Sequence, residues 1–185
     1  MKVNFIGISG QSGSGKSEYS KYLLSRYNTP LHPIQMDWFF KEPRKNIIEE
    51  PDSIDIELFL SEIKKIKENL ENGIINNKIK TSSGIVEIKI NSVNYNNDLY
   101  LIIEGFLLFY WKEIVDLCQE KFYIKSSYEI CRDRRYFRDY SYINNENHKK
   151  KYDNWYKNVV YKYFLIYQEK QMYNLNNSFI TKKWK

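Results

Sequence analysis

Apolar residues in this chain fall into two kinds of run, and the two kinds alternate. "VNFIGIS" at 3–9, "LYLIIEG" at 99–105 and "KFYIK" at 121–125 are short and nearly unbroken. Such runs read as strands buried on both faces, the mark of a parallel sheet. "HPIQMD" at 32–37 predicts another strand, and "SFIT" at 178–181 a last one. Between them the period becomes helical. A helix from about Lys16 to Tyr27 stops at "NTP", because a residue before proline avoids helical geometry. Ile56, Phe59, Leu60, Ile63, Ile66 and Leu70 recur at helical spacing behind an Asp/Ser start, and Gly73 ends them. "SSYEICRDRRYFRDY" opens with Ser126 and Glu129 at the spacing of a capping box, and a long aromatic helix follows from about Lys150 to Tyr173. "IKTSSGIVEIKI" alternates about Ser83–Gly84, with Val86, Ile88 and Ile90 on one face, and predicts a small hairpin at 79–90. The polar stretch "YINNENHKKK" at 142–151 reads as a mobile loop. Strands interleaved with helices imply an α/β fold, a parallel sheet with covered faces.

Composition narrows the picture without naming a chemistry. At 185 residues the chain fits one domain, 1–185. It contains no alanine and is rich in Asn, Ile, Lys and Tyr, a compositional bias that makes an ordinary lysine a poor functional signal. The net charge of +6 is spread along the chain, so it permits a polyanionic partner but does not argue for nucleic acid. Cys118 and Cys131 are too few for a disulfide framework, and His32 and His148 are isolated, so no metal-ligand cluster is expected. With no signal peptide and no long apolar span, the expectation is a soluble, cytoplasmic protein with no membrane partner.

The informative stretch is "GQSGSGKSEYS" at 10–20, directly behind the first strand. It fits G-x-x-x-x-G-K-[ST], with Gly10, Gly15, Lys16 and Ser17 at the fixed positions and Ser12, Gly13 and Ser14 between them. Glycines let successive backbone N–H groups converge on an oxyanion, and the following helix adds the positive end of its dipole. Lys16 brings a point charge to the β- and γ-phosphates, and the Ser17 hydroxyl can ligate Mg²⁺. This is a nucleotide-phosphate site. A switch GTPase would need an N-K-x-D motif, which is absent from the sequence. An AAA-type ATPase would usually end its second apolar strand in Asp, where this chain has "LIIEG" with Glu104 alone. One such loop with an arginine-rich helix fits a kinase of small molecules.

Three further groups carry candidate chemistry. Asp37 closes the second strand at the sheet's carboxyl edge, where ligands of such folds collect, and could take a proton from an attacking hydroxyl or merely cap a turn. Glu104 ends an apolar run, where a carboxylate is costly unless paired or near a metal; it could hold water on Mg²⁺, help Asp37, or form a structural ion pair. Arg132, Arg134, Arg135 and Arg138 share one helix, with Arg134 and Arg138 four apart on one face. Guanidinium groups of that kind can close over a γ-phosphate or simply form a solvated basic face.

"IGISGQSGSGKS", "DWFFK", "LIIEGFLLF", "YEICRDRRYFRDY" and "YFLIYQEKQ" occur in the order and spacing of nicotinamide riboside kinases, within the wider uridine kinase family. The resemblance implies a P-loop nucleoside kinase fold: a five-stranded parallel sheet with an arginine-bearing lid, about 126–150. It implies ATP and Mg²⁺ as cofactors, and transfer to the 5′-hydroxyl of a nucleoside of the nicotinamide riboside or uridine/cytidine type. It also implies that Asp37 contacts that hydroxyl, Arg138 the phosphates, Arg135 the ribose hydroxyls, and Tyr140 the base by stacking. The sugar side departs from the family pattern. Glu49 stands where relatives carry an Asp on the ribose diol, Ile48 where an aromatic would clamp the base, and Glu50 where uridine kinases present a His. A kinase of another small alcohol, and a nucleotide-dependent protein that binds nucleic acid, are the alternatives.

Overall fold

The computed structural model describes residues 2–41, 50–143, 145–176 and 178–183. Strand β1 (Val3–Gly10) is buried along its whole length and lies at the centre of a five-stranded sheet. Its neighbours are β5 (Leu99–Gly105) on one side and β6 (Cys118–Lys125) on the other. A two-residue strand β2 (Ile34–Gln35) flanks β5, and β7 (Ile180–Lys183) flanks β6, giving the order β2-β5-β1-β6-β7. Every pairing in this sheet is parallel, as the unbroken apolar runs require.

Alternation along the strands assigns each residue a face. Val3 and Phe5, with Leu99, Leu101 and Ile103, pack toward α2 (Ile56–Glu71) and the C-terminal helices in the larger core. Ile6, Ile8 and Ile102 point the other way, against Tyr19 and Leu23 of α1 (Lys16–Leu24). Counting on by two, Glu104 emerges on the α1 side, at the carboxyl end of β5. The register opposes Glu104 to Ile8 of β1 and to Gln35 of β2, so the ends of three strands share one edge. The sequence runs from β1 to β2 past β5, then back from β5 past β1 to β6. Open α/β sheets bind ligands at such a reversal.

The local details differ from the sequence expectations where tertiary partners intervene. The second strand is shorter than 32–37, because Met36–Phe39 winds into a 3₁₀ turn. The hairpin comprises β3 (Lys78–Thr81) and β4 (Gly84–Glu87), with Ile88 buried but Ile90 45 % exposed, so the expected common face stops at Ile88. Helix α3 (Lys112–Leu117) is a short addition before β6. Helix α4 (Tyr128–Tyr140) is capped by Ser127, whose side chain accepts from Ile130 N–H, and not by Ser126. The Ser126 hydroxyl is engaged elsewhere, donating to the Ser14 carbonyl at 3.1 Å.

The polar stretch at 142–151 is largely helix. Asn145 caps α5 (Glu146–Trp155), which continues through a π turn (Tyr156–Tyr161) into α6 (Lys162–Leu175). What rescues it is one buried face: Tyr152 packs with Tyr136, Tyr156 and Cys131 in a separate aromatic cluster beneath α4. Lys149 on the same helix donates to Asp133 of α4 at 3.3 Å. Among the described residues no helix is long and apolar enough to cross a membrane.

Candidate active site

The loop from Gly10 to Gly15 joins the central strand to α1, and its shape depends on glycine at two crowded points. Gly10 has φ +146°, and a Cβ there would lie 2.3 Å from the Ile124 carbonyl oxygen. Gly13 has φ +87°, and a Cβ would lie 2.3 Å from the carbonyl oxygen of Cys131 in α4. Any side chain would push the loop off β6 or off the arginine helix. Gly15 caps α1 without a side chain, so the first-turn N–H groups remain available to an anion. Lys16 Nζ folds back over the loop, donating to the carbonyls of Gly10 at 2.9 Å and Gln11 at 3.1 Å.

This loop floors a cleft of about 280 Å³ that gathers most of the expected residues. Ser12, Gly13, Gly15, Lys16 and Ser17 line it from below, Asp37 from the 3₁₀ turn after β2 rather than from the strand itself, Glu104 from the end of β5, and Arg134, Arg135 and Arg138 from α4. The Ser17 hydroxyl donates to Glu104 Oε1 at 2.9 Å. Glu104 is 5 % exposed, and its second oxygen, Oε2, has no hydrogen-bond partner among the described residues. Burial raises its carboxyl above the ordinary range, against the opposing pull of Lys16 and the Ser17 hydroxyl. A buried carboxylate oxygen beside a motif hydroxyl suits a hard cation that takes its other ligands from phosphate and water. Among the described residues there is no group of three acidic, His or Cys ligands, so the residues fit Mg²⁺ held jointly with a nucleotide, not a self-sufficient metal cage.

The arginines divide by partner. Arg138 is more than half exposed and donates from Nε to Asp139 at 2.7 Å. That bond, reinforced by Asp139's charge and by Asp37, raises the guanidinium above the usual arginine range and keeps it cationic. Arg135 is buried, sits over the Trp155 ring at 5.3 Å and lies 3.7 Å from Asp139. Arg132 turns away from the cleft toward Asp133 and Asp153. Tyr140 does not line the cleft; its ring packs on His148 at 5.0 Å and on Tyr152 and Tyr136. Glu49 and Ile48 lie outside the described residues.

Several lining residues carried no signal in the sequence. Gln35 and Glu18 face the cleft from β2 and α1, and Phe106 follows Gly105 into it, stacked on Phe40 at 5.9 Å. Gln171 of α6 is fully buried and fixes this corner. Its amide donates to the Phe106 carbonyl at 3.2 Å and accepts from the Ser9 hydroxyl at 2.6 Å. Only its place in "YFLIYQEKQ" could have drawn attention to it.

No family model matches the chain. Over 148 residues it is 30 % identical to nicotinamide riboside kinase 1 of Homo sapiens, covering 76 % of this chain and 67 % of that protein. The chain belongs to the uridine kinase and nicotinamide riboside kinase family. Within the family, a uridine kinase of Clostridium tetani is 30 % identical over 145 residues, covering 72 % of this chain and 66 % of its own length. The uridine kinase of Schizosaccharomyces pombe is 26 % identical over 162 residues, which is 76 % of this chain and 33 % of the yeast protein. The chain therefore spans a third of the yeast relative and about two thirds of the bacterial one. A solved structure from Silicibacter sp. TM1040, described as a fructose transport system kinase, matches with a TM-score of 0.54 over 83 % of this chain and 80 % of its own, at 18 % identity. That likeness concerns the fold, the five-stranded parallel sheet flanked by helices.

Proposed function

We propose that the chain transfers the γ-phosphoryl group of ATP to the 5′-hydroxyl of a ribonucleoside of the nicotinamide riboside or uridine/cytidine type. The observation that carries this reading is the shared cleft. A phosphate-binding loop, a Ser17–Glu104 pair, the Asp37 carboxylate and Arg134, Arg135 and Arg138 of α4 all face one volume of about 280 Å³.

Each residue then has a task. Loop N–H groups and the N-terminus of α1 hold the β- and γ-phosphates, and Lys16 leaves its carbonyl partners to meet them. Asp37 accepts a hydrogen bond from the attacking hydroxyl, aligns it, and takes its proton as the new P–O bond forms and the bond to the ADP oxygen breaks. Arg134 and Arg138 offset the negative charge on the transferring group, and Arg135 reaches the ribose hydroxyls. Ser17 and Glu104 would hold Mg²⁺, which would supply charge neutralisation to the bound phosphates. Tyr140 would need to leave its aromatic cluster to stack on the base, and Glu49 completes the grip on the ribose. Catalysis is positioning plus charge neutralisation, with no covalent enzyme intermediate. The two buried free thiols suit the reducing cytoplasm.

The test is ADP release by the purified chain with ATP, Mg²⁺ and a panel of ribonucleosides that includes nicotinamide riboside, uridine and cytidine. Nucleoside-dependent ADP release is expected. Release driven only by non-nucleoside alcohols, or no acceptor-dependent release at all, would overturn the reading.

A further inference from the structure

A phosphate-binding loop needs support behind it. To aim successive N–H groups at an anion it must turn carbonyl oxygens away, and each one buried there requires a donor. Lys16 serves Gly10 and Gln11, the Ser14 N–H also donates to the Gln11 carbonyl at 3.0 Å, and Ser126 serves Ser14. The Ser12 carbonyl faces the hydroxyl of Tyr156 at 3.4 Å. That same hydroxyl accepts from the Gln11 side-chain amide at 2.8 Å.

Tyr156 is fully buried and begins the π turn between α5 and α6, a rare helix form that recurs at functional sites. Its ring lies 5.6 Å from Tyr128 of α4, the helix whose Cys131 carbonyl abuts Gly13. The loop and the arginine helix thus both contact this one buried side chain. Burial also lifts the phenol well above the ordinary tyrosine range, so it keeps its proton and remains a donor. Tyr156 is not among the residues lining the cleft, and neither is Gln11.

We propose that Tyr156 is a positioning residue for the nucleotide: through Gln11 and the Ser12 carbonyl it sets the phosphate-binding loop without touching the phosphates. The proposal rests on the nucleotide-site reading but not on the identity of the acceptor.

Two variants of matched size, Tyr156→Phe and Gln11→Met, and their double, test it. The readouts are ADP affinity by calorimetry, thermal midpoint without ligand, and KM for the acceptor. Each single change should weaken ADP about three- to tenfold, the range for one lost hydrogen bond. The double should be no weaker than the worse single, because both remove the same link. KM for the acceptor should stay near wild type. ADP affinity unchanged in the variants, even with a lowered midpoint, would reduce the pair to packing and overturn the proposal. Losses that multiply in the double would overturn it as well. Should Tyr156→Phe fail to fold, Gln11→Met alone decides by the same ADP measurement. ADP affinity is read without an acceptor, so failure to phosphorylate nucleosides leaves this test standing. A wild-type chain that does not bind ADP would remove the nucleotide site and the proposal together.

Discussion

The loop at 10–17 brings Ser12, Gly13, Gly15, Lys16 and Ser17 to the cleft within a single turn between one strand and one helix, whereas Asp37 comes from the 3₁₀ turn after β2, Glu104 from β5, and Arg134, Arg135 and Arg138 from α4. In the proposed reaction the first group works chiefly through backbone N–H groups whose aim is set by covalent neighbours and by glycine. The second works through side chains whose aim depends on packing across the whole sheet and on partners such as Asp139. A backbone cradle tolerates little variation, while side chains on separate elements can be exchanged to suit a different acceptor. That is the division expected of a fold that keeps its phosphate donor and changes its substrate.

If the division is right, the largest loss should come from the one charged side chain at 10–17. Lys16→Met should cut turnover by about 10³-fold or more, since charge stabilisation in a closed cleft is usually the largest catalytic contribution. Circular dichroism should show the fold intact, and near-wild-type ADP release in a coupled assay would remove Lys16 from the site. Asp37→Asn should lower kcat by about 10²-fold or more, the scale of a lost general base, with ATP affinity retained. Weakened ATP binding with kcat preserved would instead make Asp37 a metal or structural residue. Arg138→Ala should lower kcat by roughly ten- to a hundredfold and change acceptor KM less, because its charge matters most as the phosphoryl group departs. An effect confined to acceptor KM would move Arg138 to the sugar side.

The smallest expected effect has the opposite sign. Glu104 is a buried carboxylate whose folded-state pKa is raised, so its ionised form costs stability above that pKa and nothing below its unfolded value. Glu104→Gln should therefore raise the thermal midpoint near neutral pH by about 2–4 °C, the worth of roughly 1 kcal/mol in a domain of this size. The gain should shrink as pH falls through the carboxylate range, and activity should drop at limiting Mg²⁺. A lowered midpoint at neutral pH would mean that the Ser17–Glu104 bond outweighs burial.

What could be read in the sequence was what is local. β1, the glycine loop and α1 are contiguous, so spacing alone located them, and the apolar runs at 99–105 and 121–125 found their strands. Long-range partners decided the rest. Ser126 has the right spacing for a cap, yet its hydroxyl goes to the Ser14 carbonyl and Ser127 takes the cap. The stretch at 142–151 looks too polar for a helix until Tyr152 finds the aromatic cluster under α4. Tyr140 is drawn into that same cluster. Gln11 and Tyr156 are 145 positions apart, and no periodicity links them. Gln171 likewise reads as one more polar residue on a long aromatic helix, although it is buried against the ends of β1 and β5.

The central claim is that this cleft moves a phosphoryl group onto a ribose hydroxyl, and locating that group on the product tests it most directly. Phosphorus and proton NMR of a reaction with ATP, Mg²⁺ and the best nucleoside from the panel should show a phosphomonoester on the 5′ carbon. One ADP should appear for each nucleoside consumed, and Asp37→Asn should give almost none of either. ADP produced at the same rate with and without nucleoside, or phosphate attached at another hydroxyl, would contradict the claim.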